Sequence, residues 1–439
     1  MTQSNPSRAD FLRRSAAGSA AALASLDVAR SAHAYSGGPL KVALIGCGGR
    51  GAGAATNLLT VADKDVKLVA MADVFEDHLQ GTLKRLTGGA KKRYDAPAHS
   101  GFAKQIDVPP ERQFVGLDAY QKAIACADMV ILTTPPGFRP SHYAAAVAAG
   151  KHVFMEKPCC VDAPGFRLLL ATNKLADEKG LKVGVGLQRR HQAGYLAGIK
   201  EIHDGKLGDV VFTRVYWDGS PVWFRPREAG ETEMHYQMRN WYHFVWLSGD
   251  NICEQHVHNL DVGNWVKGDH PVEANGMGYC VERYLGLDPK KGMGQIFDYH
   301  FVEFTYQDGS KMYSQCRQIP NTYTNISEAV HGTKGVGAAS SRAPELKYRD
   351  PYEQEHYDLL AAIRSNDKYN EGWYGATSSF TAVLGRMATY SGKSVKWDDA
   401  VAHGPSEFPE KLAWDAKPRA LPDANGYYPI PQPGTYKPF

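Results

Sequence analysis

The chain has 439 residues, 43% apolar and 22% charged, with 50 Lys+Arg against 47 Asp+Glu for a formal net charge of +3. At about 100–200 residues per domain, that length implies two or three domains with ordinary globular cores. A disordered, collagen-like or small disulfide-stapled protein is excluded, and the interspersed charge offers no footprint for nucleic acid or an anionic membrane. The seven cysteines are odd in number, with Cys159 and Cys160 adjacent, and do not read as a disulfide framework. No apolar run reaches the ~20 residues of a membrane helix.

Residues 1–34 read as an export signal. Arg8, Arg13 and Arg14 precede a small-residue segment, Ala16 to Leu26, and Ala32-His33-Ala34 fits the A-x-A pattern before a cleavage site. Ser7 to Arg13 resembles the twin-arginine signal S-R-R-x-F-L-K, departing at Ala9. The expectation is a periplasmic or exported protein, or a cytoplasmic one if the signal is silent.

Residues 41–45 form a buried-strand run that leads into Gly46-Cys47-Gly48-Gly49-Arg50-Gly51. A helix is predicted over 54–62, then a strand over 66–72 ending at Asp73. The uneven stretch 79–116 reads as an insertion, with Lys91-Lys92-Arg93 as a solvated face. Strands over 129–134, 152–155 and 182–186 alternate with helices over 142–149 and 163–179. This alternation predicts a doubly wound parallel sheet, an α/β Rossmann domain placed at 35–157. Aromatic and β-branched runs at 210–217, 277–284, 296–306 and 310–316 read as longer strands, and 350–364 and 377–390 as helices. These belong to an α+β domain over 158–402, followed by an irregular proline-rich tail, 403–439.

Gly46-x-Gly48-x-x-Gly51 follows a strand and opens a helix, the context in which this motif holds a dinucleotide. The first glycine permits the tight turn, the second lets backbone approach a pyrophosphate, and the third allows close helix–strand packing. Gly49 and Arg50 complete the turn, and the helix N-terminus offers free N–H groups and a positive dipole end to the phosphates. Asp73, 22 residues after Gly51, is placed to accept hydrogen bonds from an adenine-ribose diol and to repel a 2′-phosphate. NAD is therefore the expected cofactor, in preference to NADP.

Met155-Glu156-Lys157-Pro158, preceded by Thr134-Pro135-Pro136 and His142, resembles the Gfo/Idh/MocA oxidoreductase family. The resemblance runs from about Lys41 to Trp397. It implies a second domain with a large open, mostly antiparallel sheet, and a homo-oligomer, dimer or tetramer, paired through such sheets. It also implies that Thr134, Pro135, His142 and Glu156 border the cofactor and that Lys157 reaches the substrate beside the nicotinamide. The family's second signature is matched by Glu254, His258 and Asp261, with Glu254 in place of the more usual aspartate. If that segment is helical, Glu254 and His258 share one face.

The residue types suit oxidation of a secondary alcohol. A histidine is the natural general base near neutral pH, and an ammonium stabilises a developing alkoxide. Glu254 would bind a neighbouring hydroxyl or orient His258. Glu254, His256 and His258 also form a metal-ligand constellation, yet the resemblance implies dehydrogenases that need no metal. Arg189, in the Gln188-Arg189-Arg190 segment, and the aromatic-polar positions Trp217, Arg239 and Trp241 join Asp261 as substrate candidates. The expected activity is hydride transfer between a sugar or polyol and NAD. The alternatives are an NAD-recycling glycosidase, whose known members lack the E-K-P lysine, and a carbohydrate-sensing protein on a retained fold.

Overall fold

The computed structural model describes residues 38–62, 65–280 and 294–439. The export signal expected at 1–34 and the end of the strand expected at 277–284 lie outside the described residues.

The first domain is built from β1 (Leu40–Ile45), α1 (Gly49–Val61), β2 (Val66–Asp73), α2 (Glu76–Gly88), β3 (Gln113–Val115), α3 (Ala119–Ala125), β4 (Met129–Leu132), α4 (Arg139–Ala148), β5 (His152–Met155), α5 (Ala163–Glu178) and β6 (Val183–Val185). Its strands pair in the order β3-β2-β1-β4-β5-β6, and the pairs are parallel. Helices cover both faces, so β4 is buried at every position and reads as a continuous apolar run. The sixth strand extends this domain past the boundary expected at 157. The change of texture after Lys157 marks only the cleft; α5 and β6 are one more helix–strand unit of the same sheet.

The second domain contains α6 (Ala193–His203), β7 (Val210–Gly219), α7 (Glu233–Arg239), two single turns at Val245–Ser248 and Asn251–Glu254, and α8 (Val257–Lys267). It continues through β8 (Glu273–Tyr279), β9 (Tyr299–Thr305), β10 (Lys311–Gln318), β11 (Asn325–Gly332), β12 (Gly335–Gly337), α9 (Pro351–Ser365), α10 (Gly372–Ser391), β13 (Val395–Lys396) and α11 (Trp397–His403). Its sheet runs β12-β11-β7-β10-β9-β8-β13. The β7–β10 pair is parallel, and the other pairs among the described residues are antiparallel. The long helix α10 is buried along most of its length and packs against α5, α8, β8 and β9, joining the two domains.

The tail after His403 has no regular elements, as its prolines predict, but it is not loose. Phe408, Trp414, Ala420 and Tyr428 pack into a cluster with Phe75 and Phe138 of the first domain and Met234, Tyr236, Met238 and Phe244 of the second.

Candidate active site

The turn after β1 has the shape its glycines predict. Gly46 has φ +96°, and a Cβ there would lie 2.5 Å from the Thr134 nitrogen. A Cβ on Gly51 would lie 2.0 Å from the Gly46 carbonyl oxygen, so only glycine lets α1 start this close to β1. A Cβ on Gly48, by contrast, would meet nothing within 4 Å. The α1 N-terminus has no side-chain cap and no acidic residue in its first turn, so its N–H groups face a cleft unclaimed.

That cleft, whose space of about 860 Å³ is partly open to solvent, is lined by Gly46, Gly48, Gly49, Arg50, Gly51, Asp73, Thr134, Pro135 and His142. These are nine of the expected cofactor positions, brought to one surface. Asp73 accepts from the Cys47 N–H at 2.6 Å and the Phe75 N–H at 2.8 Å, which fixes its carboxylate at the end of β2. The Thr134 hydroxyl lies 3.2 Å from His142 Nδ1. His142 stacks on Tyr120 at 4.0 Å, and burial lowers its pKa to about 3. A neutral aromatic wall thus stands beside the glycine turn. Open space at Gly48, free helix N–H groups and a fixed carboxylate together fit an NAD dinucleotide.

The other two expected cofactor positions, Glu156 and Lys157, do not line this cleft. Glu156 accepts from Arg50 Nε at 2.7 Å, and Arg50 Nη1 reaches Asp95 Oδ2 at 3.0 Å. The Glu156 carboxylate and Arg50 guanidinium therefore tie the end of β5 to α1, leaving the backbone of Arg50 to face the cleft. A glutamate beside a buried arginine is held by it before any diffusible ligand, which motif matching does not register.

Strand order places Lys157, after β5, on the half of the sheet away from Asp73. Lys157 Nζ donates to Glu254 Oε1 at 3.0 Å and also to the Glu254 carbonyl. Both side chains are nearly buried, at 12% and 11% exposure. Burial raises the Glu254 pKa, and the Lys157 ammonium opposes that rise. The expected single helical face is broken. One turn ends at Glu254 and α8 begins at Val257, yet the break leaves both Glu254 and His258 near Lys157. Burial first, then the charges of Lys157 and Arg189, hold the His258 pKa well below its ordinary value. The imidazole is therefore neutral, with Nδ1 buried and unpartnered and its ring 5.8 Å from the Trp217 indole in a near-parallel stack. His256 Nε2 lies 2.8 Å from Ser314 Oγ. Among the described residues no group of three or more His, Cys, Asp or Glu side chains is placed to hold a metal ion.

Of the substrate candidates, Trp217 and Arg189 stand by His258. Arg189 pairs with Glu328, which also accepts from Tyr195 at 2.9 Å and Asn259 at 2.6 Å. The other three are corrections. Asp261 is spent on Arg190, at 2.8 and 2.9 Å, and on Ser378, at 2.7 Å. Arg239 pairs with Asp77 at 2.8 and 2.9 Å and covers the Phe75 ring at 3.8 Å. Trp241 lines the cofactor cleft, with Met238. The segment 224–246 crosses back over the first domain after β2, so Trp241 and Met238 border the cleft on the Asp73 side. Sequence reasoning also missed Phe75, His78 and Met238, which carry no motif.

A parallel six-stranded sheet with this turn, joined to a mixed sheet whose domain brings His258 close to Lys157, defines a two-domain nucleotide-dependent oxidoreductase. Residues 40–187 match the Gfo/Idh/MocA family model, described as an oxidoreductase family with an NAD-binding Rossmann fold. The chain is 26% identical over 278 residues to an inositol 2-dehydrogenase of Rhizobium meliloti, covering 62% of this chain and 74% of that protein. A scyllo-inositol 2-dehydrogenase (NADP(+)) of Bacillus subtilis is 40% identical over 83 residues, covering 19% of this chain and 22% of that protein. The crystal structure of scyllo-inositol dehydrogenase from Lactobacillus casei with bound NAD(H) and scyllo-inositol shares the fold. It superposes with TM-score 0.59 at 18% identity, over 82% of this chain and 99% of that one. Residues 40–187 thus carry the NAD-binding Rossmann fold of the Gfo/Idh/MocA oxidoreductases, and the cofactor is NAD.

Proposed function

We propose that the protein oxidises a secondary ring hydroxyl of an inositol-like polyol or sugar. The observation that carries this is the buried Lys157–Glu254 pair beside a neutral His258. NAD, when bound, supplies the electron-accepting ring. His258 accepts the hydroxyl proton, which a neutral imidazole does without first losing one of its own. Lys157 stabilises the alkoxide oxygen as its charge develops. Glu254 positions Lys157 through two contacts, its added methylene bringing the carboxylate to the ammonium. Trp217 offers a flat apolar face to the ring carbons of the substrate, and Arg189 its polar rim.

The inositol dehydrogenases among the relatives support a cyclic polyol as the first substrate to try. The second sheet exposes Val211, Met277 and Val336, which supports pairing of copies of the chain through that sheet. A panel of inositols, aldoses and nitrophenyl glycosides tests the reading, with reduced nicotinamide and released nitrophenol followed in parallel. Net nicotinamide reduction by a polyol or sugar is expected. Nitrophenol release without net reduction would replace this reading with the recycling glycosidase.

A further inference from the structure

The insertion after α2 carries one side chain to the cofactor turn. Its tip is a tight turn in which the Arg93 N–H donates to the Ala96 carbonyl at 2.9 Å. Asp95, 1% exposed, buttons this turn onto α1. Its carboxylate receives Arg50 Nη1 at 3.0 Å, and its carbonyl receives the same nitrogen at 3.2 Å. A Cβ on Gly53 would lie 2.7 Å from Asp95 Oδ2, so α1 is notched to admit it. The turn is therefore a fixed part of the cofactor domain.

Arg93 rides on this anchor. Its Nε lies 3.2 Å from Asp95 Oδ1. Its Nη2 and Nη1 lie 3.4 and 3.5 Å from where a Cβ on Gly49, the first residue of α1, would be. The guanidinium is thus aimed at the first turn of α1, beside the open space at Gly48. Arg50, the other nearby cation, has committed its Nε and Nη1 to Glu156 and Asp95. Arg93 keeps its forked Nη end beside Gly49, a residue that lines the cleft, and its side chain is 37% exposed, so the end has room to turn toward a ligand. A planar fork with two donors matches phosphate oxygens.

We propose that Arg93 is a clamp on the cofactor's pyrophosphate. It closes over phosphates seated on the α1 N-terminus, from an insertion outside the glycine motif. The proposal rests on the NAD site and is independent of the substrate and the redox step.

Calorimetric titration of the full chain with ADP-ribose and with adenosine separates phosphate recognition from adenine-ribose recognition. Arg93→Gln is expected to weaken ADP-ribose about tenfold, the loss of one charge-assisted hydrogen bond. It flattens the salt dependence of that binding and leaves adenosine affinity unchanged. Arg93→Lys recovers part of the loss, and Lys92→Gln, on the exposed neighbour, has no effect. Unchanged ADP-ribose affinity in Arg93→Gln would overturn the proposal. So would an equal weakening of adenosine, which would mean a general disturbance of the cleft. Melting temperatures measured alongside verify that each variant is folded. Failure of every polyol to be oxidised would sink the proposed function and leave this binding result intact.

Discussion

The cofactor cleft and the cluster around Lys157 form two ends of the proposed site, and they are built in opposite ways. The dinucleotide end comes largely from one continuous stretch, Gly46 to Asp73, and works through backbone shape and helix N–H groups. The catalytic end gathers Lys157, Glu254, His258 and Trp217 from separate segments, and Lys157 and Glu254 alone are 97 residues apart. It works through buried charge. Backbone shape tolerates no added atom, whereas buried charge tolerates no missing partner. Substitutions at the two ends are therefore expected to fail differently.

The largest effect is expected at the catalytic end. Lys157→Met removes the stabilising charge and strands Glu254 in the interior. The rate of nicotinamide reduction should fall by about 10²–10³-fold or more, with ADP-ribose affinity unchanged by calorimetry. An equal loss of nucleotide binding would erase the contrast between the ends. Gly51→Ala is the counterpart. Its Cβ meets backbone 2.0 Å away, so α1 must shift. An overpacking cost of ~1–3 kcal/mol should lower the melting temperature, and nucleotide affinity should fall with it.

These two substitutions also mark how legible the molecule is in its sequence. The first domain was readable because its strands are buried on both faces and its motif is local. Met155-Glu156-Lys157 and the Glu254–His258 spacing located the catalytic groups, although the helix between the latter two is broken. The domain boundary fell early because α5 and β6 lie beyond the cleft lysine. The chemistry of Arg239, Trp241 and Asp261 fits a sugar, yet chemistry alone does not fix where they lie. Their positions depend on how segment 224–246 and helix α8 fold back, a long-range outcome with no local period. Lys91-Lys92-Arg93 reads as a solvated face in the sequence because Asp95, the buried partner of Arg93, makes its other contacts on a different element.

A smaller effect sharpens the cofactor end. Asp73→Ser should shift the NAD:NADP preference toward NADP by about tenfold, since one charge-assisted bond is lost and one repulsion removed. Relative KM values for the two cofactors measure it. No shift would mean that the carboxylate serves only the Cys47 and Phe75 N–H groups.

The smallest effect concerns stability against pH. His191 sits 2.7 Å from Asp358 and 3.0 Å from Glu371. Burial alone would lower its pKa, but Glu371 and Asp358 outweigh burial and push it up to about 10. A folded pKa raised above the unfolded ~6.5 gives stability fully present below ~6.5 and lost as pH rises toward 10. The melting temperature of the native protein should exceed that of His191→Leu most at pH 6, and the gap should narrow by pH 10. A constant gap would assign His191 a packing role alone.

The most direct test of the catalytic end is a single turnover of NAD-saturated protein with an oxidisable polyol. His258→Asn is compared with the native chain by stopped-flow absorbance of reduced nicotinamide. Loss of the proton acceptor is expected to slow the step by about 10²–10⁴-fold. An unchanged rate would show that His258 does not take the hydroxyl proton.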